Sequence, residues 1–396
     1  MIHSRSLFNR SVHVGGPARG EPAAGPFQPL APMLDALRGV APARLSRFTA
    51  ATWQPTTARL PVLDEPRREY SLHEAHAYCA RLLSTAPTTR VGLGAATATA
   101  GVSADLPLAS GQLPASLRPH VLAIYAFARA ADDFADEPTY EGKRHFALDQ
   151  WEHELFRTFH GEADHPIFVA LRHTLTQFDL PIAPFTDLLT GFRMELGPAS
   201  PATFEALRVY CRHSSEPLGQ LVVRLFGCND PARLRYAADL STALQLTTFL
   251  QDVAHDLDHG RLYIPREDLL HFDIRDDQVA ALRLGGRETS LPLAPPLAAA
   301  FRDLFRFQTA RARSCFERGR PLIDRVSNDL AIELSLTFHS GLAMLDKIDA
   351  LGEDLLRARP TLGPTERARV AARALGPRFP QLLARTSSAW WGRETP

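Results

Sequence analysis

The chain has 396 residues, enough for one large domain or two ordinary ones. Its 44 basic and 44 acidic residues cancel to a formal net charge of zero, so no bulk electrostatic attraction to nucleic acid is expected. The four cysteines are scattered without a Cys-x-x-Cys pair, which argues against a cysteine-based zinc site, and no run of about 18 apolar residues predicts a transmembrane helix.

Residues 1–70 are rich in Pro, Gly, Ala and Arg and poor in acids. They are expected to be a disordered leader; a transit peptide and an upstream start codon are the other two readings. From residue 71 to 358 the pattern is helical. Ser71 and Glu74 form a capping-box signature for a first helix ending near Leu83. A Thr/Ala/Gly loop follows, to about Asp105. Pro119 can open the next helix, and Pro138 lies just past its end. Further predicted helices cover Phe146–Phe159, Pro166–Phe178, Ala183–Leu196, Phe204–Phe226, Pro231–Asp258, Pro296–Arg318 and Asp324–Ala350. Residues 359–396 form a C-terminal tail. With strand alternation nearly absent, the expected fold is an all-α bundle around a central cavity.

Two acidic clusters carry the chemistry. Asp132 and Asp136 are four residues apart, as are Asp252 and Asp256. That spacing puts two carboxylates on one helical face, about 5–6 Å apart at Cβ. Stepping back from Asp136 gives Asp132, Ala128, Tyr125 and Val121, an inward stripe. Stepping back from Asp256 gives Asp252, Thr248, Gln245 and Ser241, a polar stripe beside an apolar one of Leu246, Leu250, Val253 and Leu257. A solvated acidic helix end explains most isolated acidic runs. Two inward pairs instead suggest an oxygen-rich cage for Mg²⁺, which favours hard oxygen ligands and substrate phosphate.

Other residues fall around these clusters. Glu195 shares a face with Phe185, Leu188 and Phe192, where it either meets an arginine or lies near the metal. Pro217 and Gly219 in the helix of Tyr210 suggest a bend. Arg129 and Arg261 offer planar donor forks for phosphate, and Tyr263 can bond the same group. His255 and His259 are four apart, but no third neutral ligand is apparent for a transition metal.

At these residues the chain resembles the squalene/phytoene synthase family of head-to-head prenyl transferases. Arg129–Asp136 matches the first aspartate motif, and Gln245–Pro265 the second, with its Gly-Arg-x-Tyr-x-Pro tail. Tyr210–Gly219 resembles the kinked helix between them. The stretches 124–133, 249–253 and 345–350 look most like bacterial hydroxysqualene synthases of hopanoid pathways. Departures are Thr248 in place of the usual Asn, His255 in place of an acid, Glu216 in the kinked helix, and the long loop before Ser110.

The resemblance implies an isoprenoid-synthase-type helical bundle with Mg²⁺ held by Asp132, Asp136, Asp252 and Asp256. It implies substrate binding by Arg129, Arg261, Tyr263 and Ser110. Catalytic candidates are Tyr125, Tyr210 and Gln245. The expected substrate is presqualene or farnesyl diphosphate, and the expected reaction is conversion of presqualene diphosphate to hydroxysqualene with release of diphosphate. Squalene, phytoene or presqualene diphosphate synthase is the same-class alternative. A non-catalytic relative, like the mitochondrial complex-I assembly factor that resembles this family, is the alternative of a different class. The expected location is cytoplasmic, with peripheral contact at the inner face of the membrane left open.

Overall fold

The structure is a computed structural model, and it describes residues 62–63, 65–85, 114–197, 200–258, 260–285 and 293–376. The described residues belong to the unit that runs from Arg59 to Pro396. They form helices, with no strand among them. In chain order these are α1 (Leu72–Thr85), α2 (Arg118–Asp136), α3 (Arg144–Phe159), α4 (Pro166–Phe178), α5 (Ala183–Glu195), α6 (Phe204–His213), α7 (Ser215–Leu225), α8 (Pro231–Gln251), α9 (Val253–Asp258), α10 (Arg266–His271), α11 (Asp276–Gly285), α12 (Pro295–Gly319), α13 (Asn328–Leu351) and α14 (Pro364–Leu375). None is long and apolar enough to cross a membrane.

Helix starts follow local chemistry. Ser71 and Glu74 close the predicted capping box: the Ser71 amide donates to Glu74 Oε2 (2.9 Å) and the Glu74 amide to Ser71 Oγ (3.3 Å). Asp230 caps α8 by accepting from the Arg233 amide, with Pro231 at the first helical position. His165 caps α4: Nδ1 accepts from the Ile167 amide, so Nε2–H donates to the Val62 carbonyl at 2.9 Å.

α2 is buried on nearly every side from His120 to Ala135, as a central helix must be, and its many alanines let neighbours approach. It packs against α1, α3, α4 and α5, while α8 packs against α7 and α12. Phe127, Trp151, Phe168 and Phe185 interlock in the core, with the Trp151 indole donating to the Phe127 carbonyl.

Four expectations change. The predicted helix 231–258 is interrupted at Asp252, which caps α8 before α9 begins at Val253. The predicted helix 204–226 breaks at Ser214 (φ −112°, ψ −77°), giving α6 and α7. Pro217 therefore sits in the first turn of α7, where its missing amide hydrogen has no helical acceptor to satisfy. Helices α10, α11 and α14 are short or Arg-rich, and periodicity did not mark them. Packing also extends beyond 71–358: Val62 is buried, Arg67 pairs with Asp164, and α14 packs on α13. The rest of the leader, up to residue 61, lies outside the described residues.

Candidate active site

The C-terminal turn of α2 and the last residue of α5 meet. Asp132, Asp136 and Glu195 each offer a carboxylate oxygen, and these three atoms lie within 4.8 Å of one another. Gly191 lets α5 lie close against the end of α6, since a side chain there would collide with the His213 carbonyl before the α6–α7 break. Tyr210 on α6 donates its hydroxyl to Glu195 Oε1. Glu195 thus lies with the carboxylates, the second of the two placements its sequence position allowed.

Asp132 is almost fully buried. Burial, then the charges of Glu195 and Asp136, hold its carboxyl well above the usual carboxylate range. Burial and the same glutamate push the Tyr210 phenol up, so it stays neutral. Such a cluster repels itself when ionised, and its donors are all hard oxygens. Those two properties fit a divalent cation such as Mg²⁺.

The second motif reaches this cluster through Arg261. Its Nη2 stands 2.7 Å from Asp136 Oδ1. Burial opposes the Arg261 charge, but the bond and charge of Asp136 outweigh it and raise the guanidinium above its ordinary pKa. Arg261 is aimed by its backbone amide, which donates to the Asp256 carbonyl (2.8 Å). Asp252 and Asp256 are buried on the same polar stripe but are not part of the three-carboxylate group. Asp252 instead accepts from Arg359 Nε, and the neighbouring Gln251 donates to the Pro360 carbonyl (2.9 Å).

An aromatic wall lies beside these groups. Tyr263 stacks on Phe249 at 4.0 Å between centroids, and Tyr210 stands 6.0 Å from Phe249. Gln245 is one turn before Phe249 on α8 and 1% exposed, and neither of its amide atoms has a hydrogen-bond partner. Tyr125 is buried on α2, two turns before Asp132. Arg129 is buried and bonds Asp133 at 2.7 Å. Ser110 and His259 lie outside the described residues.

Sequence reasoning missed Arg359 and Phe249. Phe249 is one turn before Asp252, a signal that was available. Arg359 sits in a Pro-flanked stretch assigned to the tail, where nothing local marks its partner.

The squalene/phytoene synthase family matches residues 99–366. The chain belongs to this family. Its members are synthases that use prenyl diphosphates. The chain is 34% identical to the phytoene synthase of Mycobacterium tuberculosis over 269 residues, covering 66% of this chain and 83% of that protein. It is also 34% identical to the squalene synthase HpnC from Alicyclobacillus acidocaldarius, whose crystal structure superposes with a TM-score of 0.60 over 71% of this chain and 95% of that one. A dehydrosqualene synthase structure, 21% identical with a TM-score of 0.60, covers 77% of this chain and 96% of its own; that likeness speaks for the fold.

Proposed function

We propose that this family member converts presqualene diphosphate and water to hydroxysqualene, diphosphate and a proton, within squalene and hopanoid biosynthesis. Bound Mg²⁺ would supply Lewis-acid neutralisation of the departing diphosphate. Asp132, Asp136 and Glu195 would hold it, with Asp252 and Asp256 adding donors from the second motif. Arg261 has donors beyond the one given to Asp136, and with Arg129, Tyr263 and Ser110 it binds the diphosphate oxygens. Tyr125, Tyr210 and Phe249 offer π faces that shelter the carbocation.

The observation that carries water capture is Gln245. A buried amide with both polar atoms unpartnered loses about 1–3 kcal/mol of stability, and one water would satisfy it. Held there, that water attacks the cation through oxygen, and its proton leaves to solvent. Likeness to the HpnC squalene synthase supports the squalene branch.

A second reading is phytoene synthesis, favoured by the name of the mycobacterial relative. We place the enzyme in the cytoplasm, touching the inner face of the membrane where an apolar substrate dissolves.

Incubation with Mg²⁺ and presqualene diphosphate in ¹⁸O-water distinguishes the readings. Labelled alcohol without NADPH is expected. Hydrocarbon formed only with NADPH, or product formed only from geranylgeranyl diphosphate, overturns the proposal.

A further inference from the structure

Helix α6 ends and α7 begins at Ser214, and both run antiparallel to α8. Three contacts fix how they align. Tyr210 stands 6.0 Å from Phe249 between ring centroids, the Thr242 hydroxyl donates to Glu216 Oε1 at 2.8 Å, and a side chain on Gly219 would collide with Ser241 Oγ. Between the first two contacts, residue 214 comes level with residue 245. Because α6 is helical through His213, Ser214 follows Tyr210 by one turn on the same face.

We propose, resting on the water-capture reading above, that Ser214 is a second residue holding the attacking water, and that with Gln245 it decides between alcohol and hydrocarbon.

The Ser214 hydroxyl is released from the bond a serine makes at this position. Ser214 is the N-cap of α7, where a side-chain oxygen ordinarily accepts from the amide of the second or third helical residue. The third residue here is Pro217, which has no amide hydrogen. The Ser214 backbone (φ −112°, ψ −77°) is also not the extended one that capping uses, and its side chain makes no capping bond.

Ser214 Oγ, Ser215 Oγ and both amide atoms of Gln245 are buried without a hydrogen-bond partner. Such atoms are rare in protein interiors, and their gathering at one level of a helix pair points to a small polar guest. Ser214 and Gln245 do not bond each other directly, and facing polar groups beyond direct reach are joined by a bridging water. A water that donates its hydrogens to Gln245 Oε1 and Ser214 Oγ keeps both oxygen lone pairs free. One of them forms the C–O bond to the cation. The proton then leaves to solvent, and neither side chain is changed. With the serine hydroxyl gone, the water is held by one residue instead of two, and the cation more often loses a proton to give hydrocarbon.

The test incubates the full chain with Mg²⁺ and presqualene diphosphate in ¹⁸O-water and measures labelled alcohol and hydrocarbon together. In Ser214→Ala the ratio of alcohol to hydrocarbon should fall about tenfold, the effect of one lost hydrogen bond to the water. Ser214→Thr keeps a hydroxyl and should retain most of the ratio. Adding Ser214→Ala to Gln245→Leu should lower the ratio less than Ser214→Ala does alone, because the shared water is already lost. A purely structural role would lower both products together and leave their ratio unmoved. Ser214→Cys, close in size with a weaker hydrogen bond, gives the same reading should Ser214→Ala fail to fold. A parent protein that makes no alcohol defeats the water-capture reading and this assignment with it. Alcohol from the parent, combined with an unchanged ratio in Ser214→Ala and Ser214→Cys, a fall confined to Ser215→Ala, or fully additive effects in the double variant, overturns the assignment of Ser214 alone.

Discussion

Arg261 sets Nη2 2.7 Å from Asp136 Oδ1 and so joins two motifs 125 residues apart in the chain. One guanidinium thereby fixes the loop after α9 over the end of α2. Both side chains are about a quarter exposed, so the pair adds at most about 1 kcal/mol of stability. Its value lies in position. Arg261→Ala should lower kcat/KM by about 10²-fold with little change in Tm. Arg261→Lys, which keeps charge but loses the fork, should restore only part of that. Steady-state kinetics with unchanged kcat/KM would refute the assignment.

Asp132 makes stability and activity oppose one another. Its raised carboxyl favours folding while protonated, and that contribution is lost as pH rises from the ordinary carboxylate range through the raised value. Metal-free protein should therefore lose stability between mildly acidic and neutral pH. Asp132→Asn should flatten that loss and match or exceed the parent Tm in EDTA at neutral pH, while turnover falls by roughly 10³-fold. Thermal melts across pH, paired with assays, check both halves.

Tyr210 acts on the carboxylates through Glu195. Tyr210→Phe keeps the ring beside Phe249 and removes the hydroxyl. Mg²⁺ affinity, read as the concentration for half-maximal Tm shift, should weaken by about 10-fold or more. An unaltered metal titration would show that the hydroxyl does not orient Glu195.

Gln245→Leu exchanges an unpartnered buried amide for an apolar side chain of similar length. The share of alcohol among products should fall in favour of hydrocarbon formed by loss of a proton, because the amide that would hold the water is gone. A product profile identical to the parent would remove Gln245 from water capture.

The N-terminal limit is testable by truncation. A chain starting at Arg59 should fold and turn over normally, since it keeps Val62 and its contact with His165. A chain starting at Tyr70 loses that contact and the Arg67 pairs with Glu154 and Asp164, and its Tm should drop. Equal Tm for both chains would show that the 62–69 stretch adds nothing.

Local order was legible in the sequence wherever one segment contained both partners. The Ser71–Glu74 box, the limits of Pro166–Phe178 and the inward face of Asp132 follow from spacing, because helix geometry fixes which residues stack. What stands across from a face is not local. Periodicity left Glu195 with two possible surroundings, and only the meeting of α2 and α5 set it beside Asp132 and Asp136. Arg359 is 107 residues from Asp252, and Val62 is 103 from His165. No pattern in either segment encodes such a partner. The helix break at Ser214, three residues before the proline expected to cause it, has the same origin: local propensity only limits where a break can fall.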